Sequence, residues 1–95
     1  MYSIIYRPSV KKDLKRLDRP VLLVLYDTHL PLLKENPFIG ERLKGKYRLY
    51  YRYKFTHQGV GYRMVYDIKT KELVIILILV GTRENFYKEL KRRII

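Results

Sequence analysis

The chain has 95 residues, with 21 Lys plus Arg against 9 Asp plus Glu and a formal net charge of +12. That length predicts a single domain over 1–95 with a thin core, burying roughly 60–65% of the surface that an unfolded chain exposes. A hydrophobic fraction of 47% with only 5 Gly and 4 Pro excludes a disordered or fibrous chain, and the lack of cysteine excludes disulfides and thiolate metal sites.

The opening residues MYSIIYRPSVKK hold no apolar stretch followed by a small-residue cleavage site, so no signal peptide is expected. Tyr2 to Arg7 is a β-rich run stopped by Pro8 and predicts a strand. Ser9 is placed to cap a helix whose Val10, Leu14 and Leu17 fall on one face. Asp18 is placed to cap a second helix carrying Val21, Leu22, Leu25, Leu32 and Leu33, with Pro20 in its first turn. Pro31 should kink or end that helix before its last turn. Asn36-Pro37 marks a loop, and Phe38 to Lys46 reads as irregular, hinged at Gly40 and Gly45.

From Tyr47 the period becomes two. Tyr47–Thr56, Val60–Ile68 and Glu72–Val80 read as strands joined by short turns at His57-Gln58-Gly59 and Lys69-Thr70-Lys71. Leu73 to Val80 is apolar on both faces, which marks a strand covered on both sides; at eight residues it is far too short to span a bilayer. Thr82 is placed to cap a terminal helix from Arg83 to about Arg93, with Phe86, Leu90 and Ile94 as its apolar side. The order β-α-α-β-β-β-α predicts an α+β domain. Its expected sheet is antiparallel and four-stranded, with the first strand beside the fourth. The helical hairpin covers one face, and the other stays open to a ligand.

Charge is concentrated between Arg42 and Arg63. Arg42, Lys44, Lys46, Arg48, Arg52, Lys54 and Arg63 occur there with no acid, interleaved with Tyr47, Tyr50, Tyr51, Tyr53 and Tyr62. Cations alternating with aromatics suit a surface that grips phosphates and stacks bases; an acidic protein is the competing partner. Alternation sends Tyr47, Leu49, Tyr51, Tyr53 and Phe55 one way, and Arg48, Tyr50, Arg52, Lys54 and Thr56 the other. A hairpin partner would bring Arg63 near Arg52 or Lys54. Like charges so close oppose folding unless an anion lies among them, which points to a phosphate site; cations that guard an edge strand are the alternative. Arg83 and Tyr87, four apart, should share a helix face, where they suit a phosphate and a base.

His57 falls in a turn and His29 on a helix, and a solvated and a structural role are expected for them. The scattered acids offer no metal cluster, so neither metal nor cofactor is expected. Chemistry built on cations and tyrosine without metal has a natural substrate in RNA, which carries its own nucleophile. A cationic pocket can hold the scissile phosphate and stabilise the charge of its pentavalent state. A lysine among other cations has a lowered pKa and can serve as base.

The runs LKGKYRLYYRYKF, GYRMVYDI and ELVIILILVGTRENFY, after the opening YRPSVKKDLKRL, resemble the RelE/ParE superfamily of type II toxins over nearly the whole chain. The resemblance implies a RelE-like fold, a cytoplasmic location without membrane contact, and a cognate acidic antitoxin as partner. RelE-type members of the superfamily cleave messenger RNA in the ribosomal A site. ParE-type members share the fold, lack the nuclease residues and poison DNA gyrase. The resemblance assigns Lys54 as general base, Arg63 to the phosphate, Arg83 to the leaving group or phosphate, and Tyr87 to orienting the base. Arg52 stands where the family has a lysine, which suits it to stabilising charge. Lys44, Lys46 and Arg48 complete the expected RNA surface. The full cationic set favours a ribosome-dependent, metal-independent endoribonuclease over a gyrase poison; an RNA-binding module without catalysis is the third reading.

Overall fold

A computed structural model describes residues 1–84 and 86–94. Strand β1 (Ser3–Tyr6) leads into helix α1 (Pro8–Lys15). Arg7, not Ser9, is the N-cap, and Pro8 is the first helical residue. Proline suits that position because its fixed φ is helical and its missing N–H is not needed there. Asp18 does precede helix α2 (Arg19–Val24), but its side chain makes no capping bond.

Pro31 neither ends nor truncates the second helical arm. A π turn at Leu25–His29 precedes it, with the Leu30 N–H donating to the Leu25 carbonyl, and helix α3 (Leu30–Glu35) then continues. Widening the turn shifts the hydrogen-bond register ahead of a residue that has no N–H to donate.

The segment expected to be irregular hides a two-residue strand, β2 (Glu41–Arg42), paired antiparallel to β3 (Tyr51–His57). A Cβ on Gly40 would overlap the Tyr66 hydroxyl and lie 2.9 Å from the Arg52 carbonyl oxygen. Glycine is therefore what lets β2 approach β3 closely. β3 begins at Tyr51 rather than Tyr47, because Gly45–Tyr47 forms a 3-10 turn. β3 and β4 (Val60–Lys69) form the expected hairpin, closed at His57 and Val60. Its two turn residues, Gln58 and Gly59, have φ of 49° and 79°. Two left-handed residues give the turn whose twist matches the flanking strands. β5 (Val74–Thr82) then pairs with β4, and helix α4 (Phe86–Ile94) follows. The expected terminal helix from Arg83 to about Arg93 starts later, and its Asn85 lies outside the described residues.

The α+β class is as expected, but the sheet has five strands in the order β1-β5-β4-β3-β2 and is mixed. β1 does pair with the strand of apolar residues, yet parallel to it, Ser3 opposite Val74 through Tyr6 opposite Leu77. β2 adds one chain reversal ahead of β3, which inverts the direction of every later strand relative to β1.

Val10, Leu14, Val21, Leu25, Leu30 and Leu33 of the helical arms pack on Phe55, Tyr62, Met64, Tyr66, Ile75, Leu77 and Val80. The other face is not open along its length. Phe86 and Leu90 of α4 cover Val65, Ile78 and Leu79, with Leu43 beside them. Val65 pairs with Leu79 and Tyr66 with Leu77, so Ile78 is a bulge. The bulge puts two successive residues of β5 under α4.

Candidate functional site: a cationic cleft at the hairpin

Alternation along β3 holds from Tyr51 onward. Tyr51, Tyr53 and Phe55 join the helix-side core, and Arg52, Lys54 and Thr56 take the opposite face. Before Tyr51 the expectation fails. Tyr47 and Tyr50 pack against the α4-side cluster, Leu49 is exposed, and Arg48 lies in the turn rather than on the strand face. Its carbonyl accepts from Arg42 Nε at 2.8 Å, and its Nη1 reaches the Gly45 carbonyl at 3.4 Å. Lys44, Lys46 and Arg48 are all exposed on this segment, with the Lys46 ammonium 5.3 Å from the centre of the Tyr47 ring.

The register places Arg63 directly opposite Lys54. Arg83 comes just after β5, and the three cations line one cleft of about 340 Å³ together with Thr56, Gly61 and Tyr62. Arg83 and Tyr87 do not share a helix face, because Arg83 precedes α4. Tyr87 instead lines a second cleft, of about 370 Å³, with Arg52, Glu41, Lys44 and Tyr47. The Arg63 guanidinium lies 5.8 Å from the Phe86 ring centre, held over α4.

The Arg52 side chain is largely enclosed, at 17% exposed. Its Nη1 donates to the Tyr87 hydroxyl and its Nη2 donates to Glu41 Oε1 at 3.0 Å, while its Nε is buried without a partner. The same carboxylate oxygen lies 3.5 Å from Lys54 Nζ. Glu41 thus joins the two clefts. The hydrogen bond from Arg52 holds its carboxyl below the usual carboxylate range, and the charges of Lys54 and Arg52 add to this. Sequence reasoning missed Glu41 because it stands one residue before the acid-free run, in a strand too short to show a period. Arg52 and Lys54 pair with this carboxylate, and Arg63 and Arg83 add two further positive charges to the cleft that Lys54 lines, so the excess charge calls for an anion.

His29 has the structural role expected of it. Its Nδ1 lies 2.7 Å from the Tyr53 hydroxyl, its ring stacks on Phe55 at 4.1 Å, and burial lowers its pKa. His57 shares the strand parity of Tyr53 and Phe55, and it does not line the cationic cleft. Among the described residues no group of three or more His, Cys, Asp or Glu is placed to hold a metal, and no helix is long and apolar enough to cross a membrane.

This topology has counterparts among solved structures. The free form of an arginine double mutant of Escherichia coli toxin RelE is 26% identical, with a TM-score of 0.76, over 99% of this chain and 98% of that one. The intact RelBE toxin–antitoxin complex of E. coli is 25% identical with a TM-score of 0.71, over 88% and 99%. The RelBE2 toxin–antitoxin complex of Mycobacterium tuberculosis shares the fold at 19% identity and a TM-score of 0.72, over 86% and 98%. No curated protein matches the chain significantly. A family model described as the ParE-like toxin of type II bacterial toxin–antitoxin systems matches residues 4–91, nearly the full length, and the chain belongs to that family.

Proposed function

We propose that this toxin is an endoribonuclease that cuts messenger RNA on the ribosome, in the A site, by attack of the RNA's own 2′-hydroxyl. The observation that carries the reading is the convergence of Lys54, Arg63 and Arg83 on one cleft, with Arg52 and Tyr87 in contact beside it. The scissile phosphate lies among the three cations. Lys54 takes the proton of the 2′-hydroxyl, the 2′-oxygen bonds to phosphorus, and the bond to the 5′-oxygen breaks. Arg63 and Arg52 stabilise the charge added in the pentavalent state, and Arg83 holds the phosphate or the departing oxygen. Tyr87 orients the base, and Lys44, Lys46 and Arg48 hold the flanking backbone. The departing 5′-oxygen takes a proton from solvent water in the exposed cleft, so the products are a 2′,3′-cyclic phosphate and a 5′-hydroxyl, and no step requires a metal or cofactor.

In the cell the cytoplasmic toxin domain is held by a cognate antitoxin segment rich in acid, a partner suited to the net charge of +12. The relatives above from E. coli and M. tuberculosis are seen in toxin–antitoxin complexes. Translation of a defined message with purified ribosomes, mapping 5′ ends, tests the reading. Wild type should give discrete cuts that Lys54→Ala and Arg83→Ala lose. The matching family model is described as ParE-like, and poisoning of DNA gyrase is the second reading; inhibited supercoiling with an uncut message would establish it in place of RNA cleavage.

A further inference from the structure

Among the described residues Asp13 is the charged side chain that is buried, at 5% exposure. It belongs to α1 and lines neither cationic cleft. Its Oδ2 accepts from the Val80 N–H at 3.0 Å and from Arg93 Nη1 at 2.9 Å, and its Oδ1 accepts from Arg93 Nη2 at 2.7 Å. Arg93 also donates from Nη1 to the Ile78 carbonyl at 2.9 Å and from Nε to Glu89 Oε2 at 3.0 Å. One guanidinium therefore ties the end of α4 to α1, to the bulge of β5 and to its own preceding turn.

A nine-residue helix has little stability of its own, so the seat of α4 depends on what it touches. Phe86 and Leu90 give it an apolar footing, which resists lifting more than it resists turning or sliding. A two-pronged ion pair is directional and fixes the orientation. That orientation matters at the opposite end of the helix, where Tyr87 accepts from Arg52 and the Phe86 ring lies under Arg63.

We propose that the buried Asp13–Arg93 pair is a positioning element of the cationic site, setting Tyr87 against Arg52 and Phe86 beneath Arg63 through the seat of α4. The inference rests on the proposed RNA cleavage for its effect on rate, but not for its effect on geometry. Lys44 and Lys46 are exposed on the segment that Leu43 and Tyr47 seat beside α4, so RNA capture should suffer less than cutting.

The test compares Arg93→Met, Arg93→Lys and Tyr87→Phe in the full chain by amide hydrogen exchange, by the Arg52 Nε–H resonance and by cleavage kinetics. In Arg93→Met the Leu90 amide should exchange at least ~10-fold faster, because a buried charge has lost its partner and α4 opens locally. The Arg52 resonance should move as it does in Tyr87→Phe. The kcat should fall about tenfold with KM within about twofold, as for loss of an interaction made in the transition state. Arg93→Lys keeps a charge for Asp13 and should recover part of each effect; it carries the same readouts if the Met variant does not fold. Unchanged exchange, or an unmoved Arg52 resonance, would overturn the proposal. If the wild type cuts no RNA, the cleavage reading alone fails, and exchange and resonance still decide whether the pair positions the site.

Discussion

Replacing Arg63 by Ala separates catalysis from folding. Pentavalent phosphorus carries about one more negative charge than the ground-state diester. A unit charge ~4 Å from a guanidinium is stabilised by about 1 kcal/mol in bulk water and ~4 kcal/mol at an effective dielectric of about 20. At ~1.4 kcal/mol per tenfold, that interval spans roughly five-fold to 10³-fold in rate. The neighbouring Lys54 side chain is 52% exposed, so the cleft is wet and the lower part of the interval applies, about 5–50-fold. Stability should hardly move. Loss of the contact with Phe86 costs about 0.5–1 kcal/mol, and relief of repulsion from Lys54 directly across the hairpin offsets part of that. The assay is single-turnover cutting of a programmed message beside a thermal melt. A folded Arg63→Ala protein that cuts within about twofold of wild type would refute the reasoning. So would a loss of activity matched by a collapse of the melt.

Gly61→Val should fill the cleft without harming the fold. A Cβ there meets nothing within 4 Å, and valine suits a strand; cutting should fall at least ~10-fold with an unchanged melt, as for a misplaced substrate, and normal cutting would show that the phosphate binds elsewhere. RNA affinity should fall steeply with salt, and Lys44→Ala, Lys46→Ala or Arg48→Ala should each flatten the slope by about one ion's share; a salt-independent affinity would remove these residues from the RNA surface. His29 should make stability depend on pH. Its folded pKa is lowered, so the unfolded chain binds the extra proton more readily. Its contribution is full above the unfolded value of about 6.5 and is lost as pH falls through the lower folded value. Urea melts at several pH values should show this slope in the wild type and not in His29→Gln; equal slopes would refute it.

The parts of the site legible in the sequence are those that obey a local period. From Tyr51 to Lys69 two strands alternate around a short turn, so side-chain parity and the approach of Arg63 to Arg52 or Lys54 follow from sequence. The exact register came from the left-handed pair Gln58-Gly59, which closes the hairpin at His57 and Val60. Tyr47 to Tyr50 continue the same alternation on paper, but the 3-10 turn at Gly45–Tyr47 interrupts it, which moved Arg48 off the strand face. What remained hidden depends on distant contacts. β2 exists because Gly40 lets it approach Arg52 and Tyr66, and without it the direction of β1 relative to β5 comes out wrong. The bulge at Ile78 has no signature in a run that is apolar throughout. Glu41 and Arg52 meet across strands, and Asp13 and Arg93 meet across the whole chain, pairings that no local period encodes.

The most direct test of the proposed chemistry is a message carrying a single 2′-deoxynucleotide at the mapped cut position, translated on purified ribosomes with the wild-type toxin. Without the 2′-hydroxyl there is no internal nucleophile for Lys54 to activate. Cutting at that position should disappear, while the all-RNA message is cut there and ends in a 2′,3′-cyclic phosphate. Cutting that persists at the deoxy position at an unchanged rate would mean that water or another group attacks the phosphate, and would contradict the mechanism.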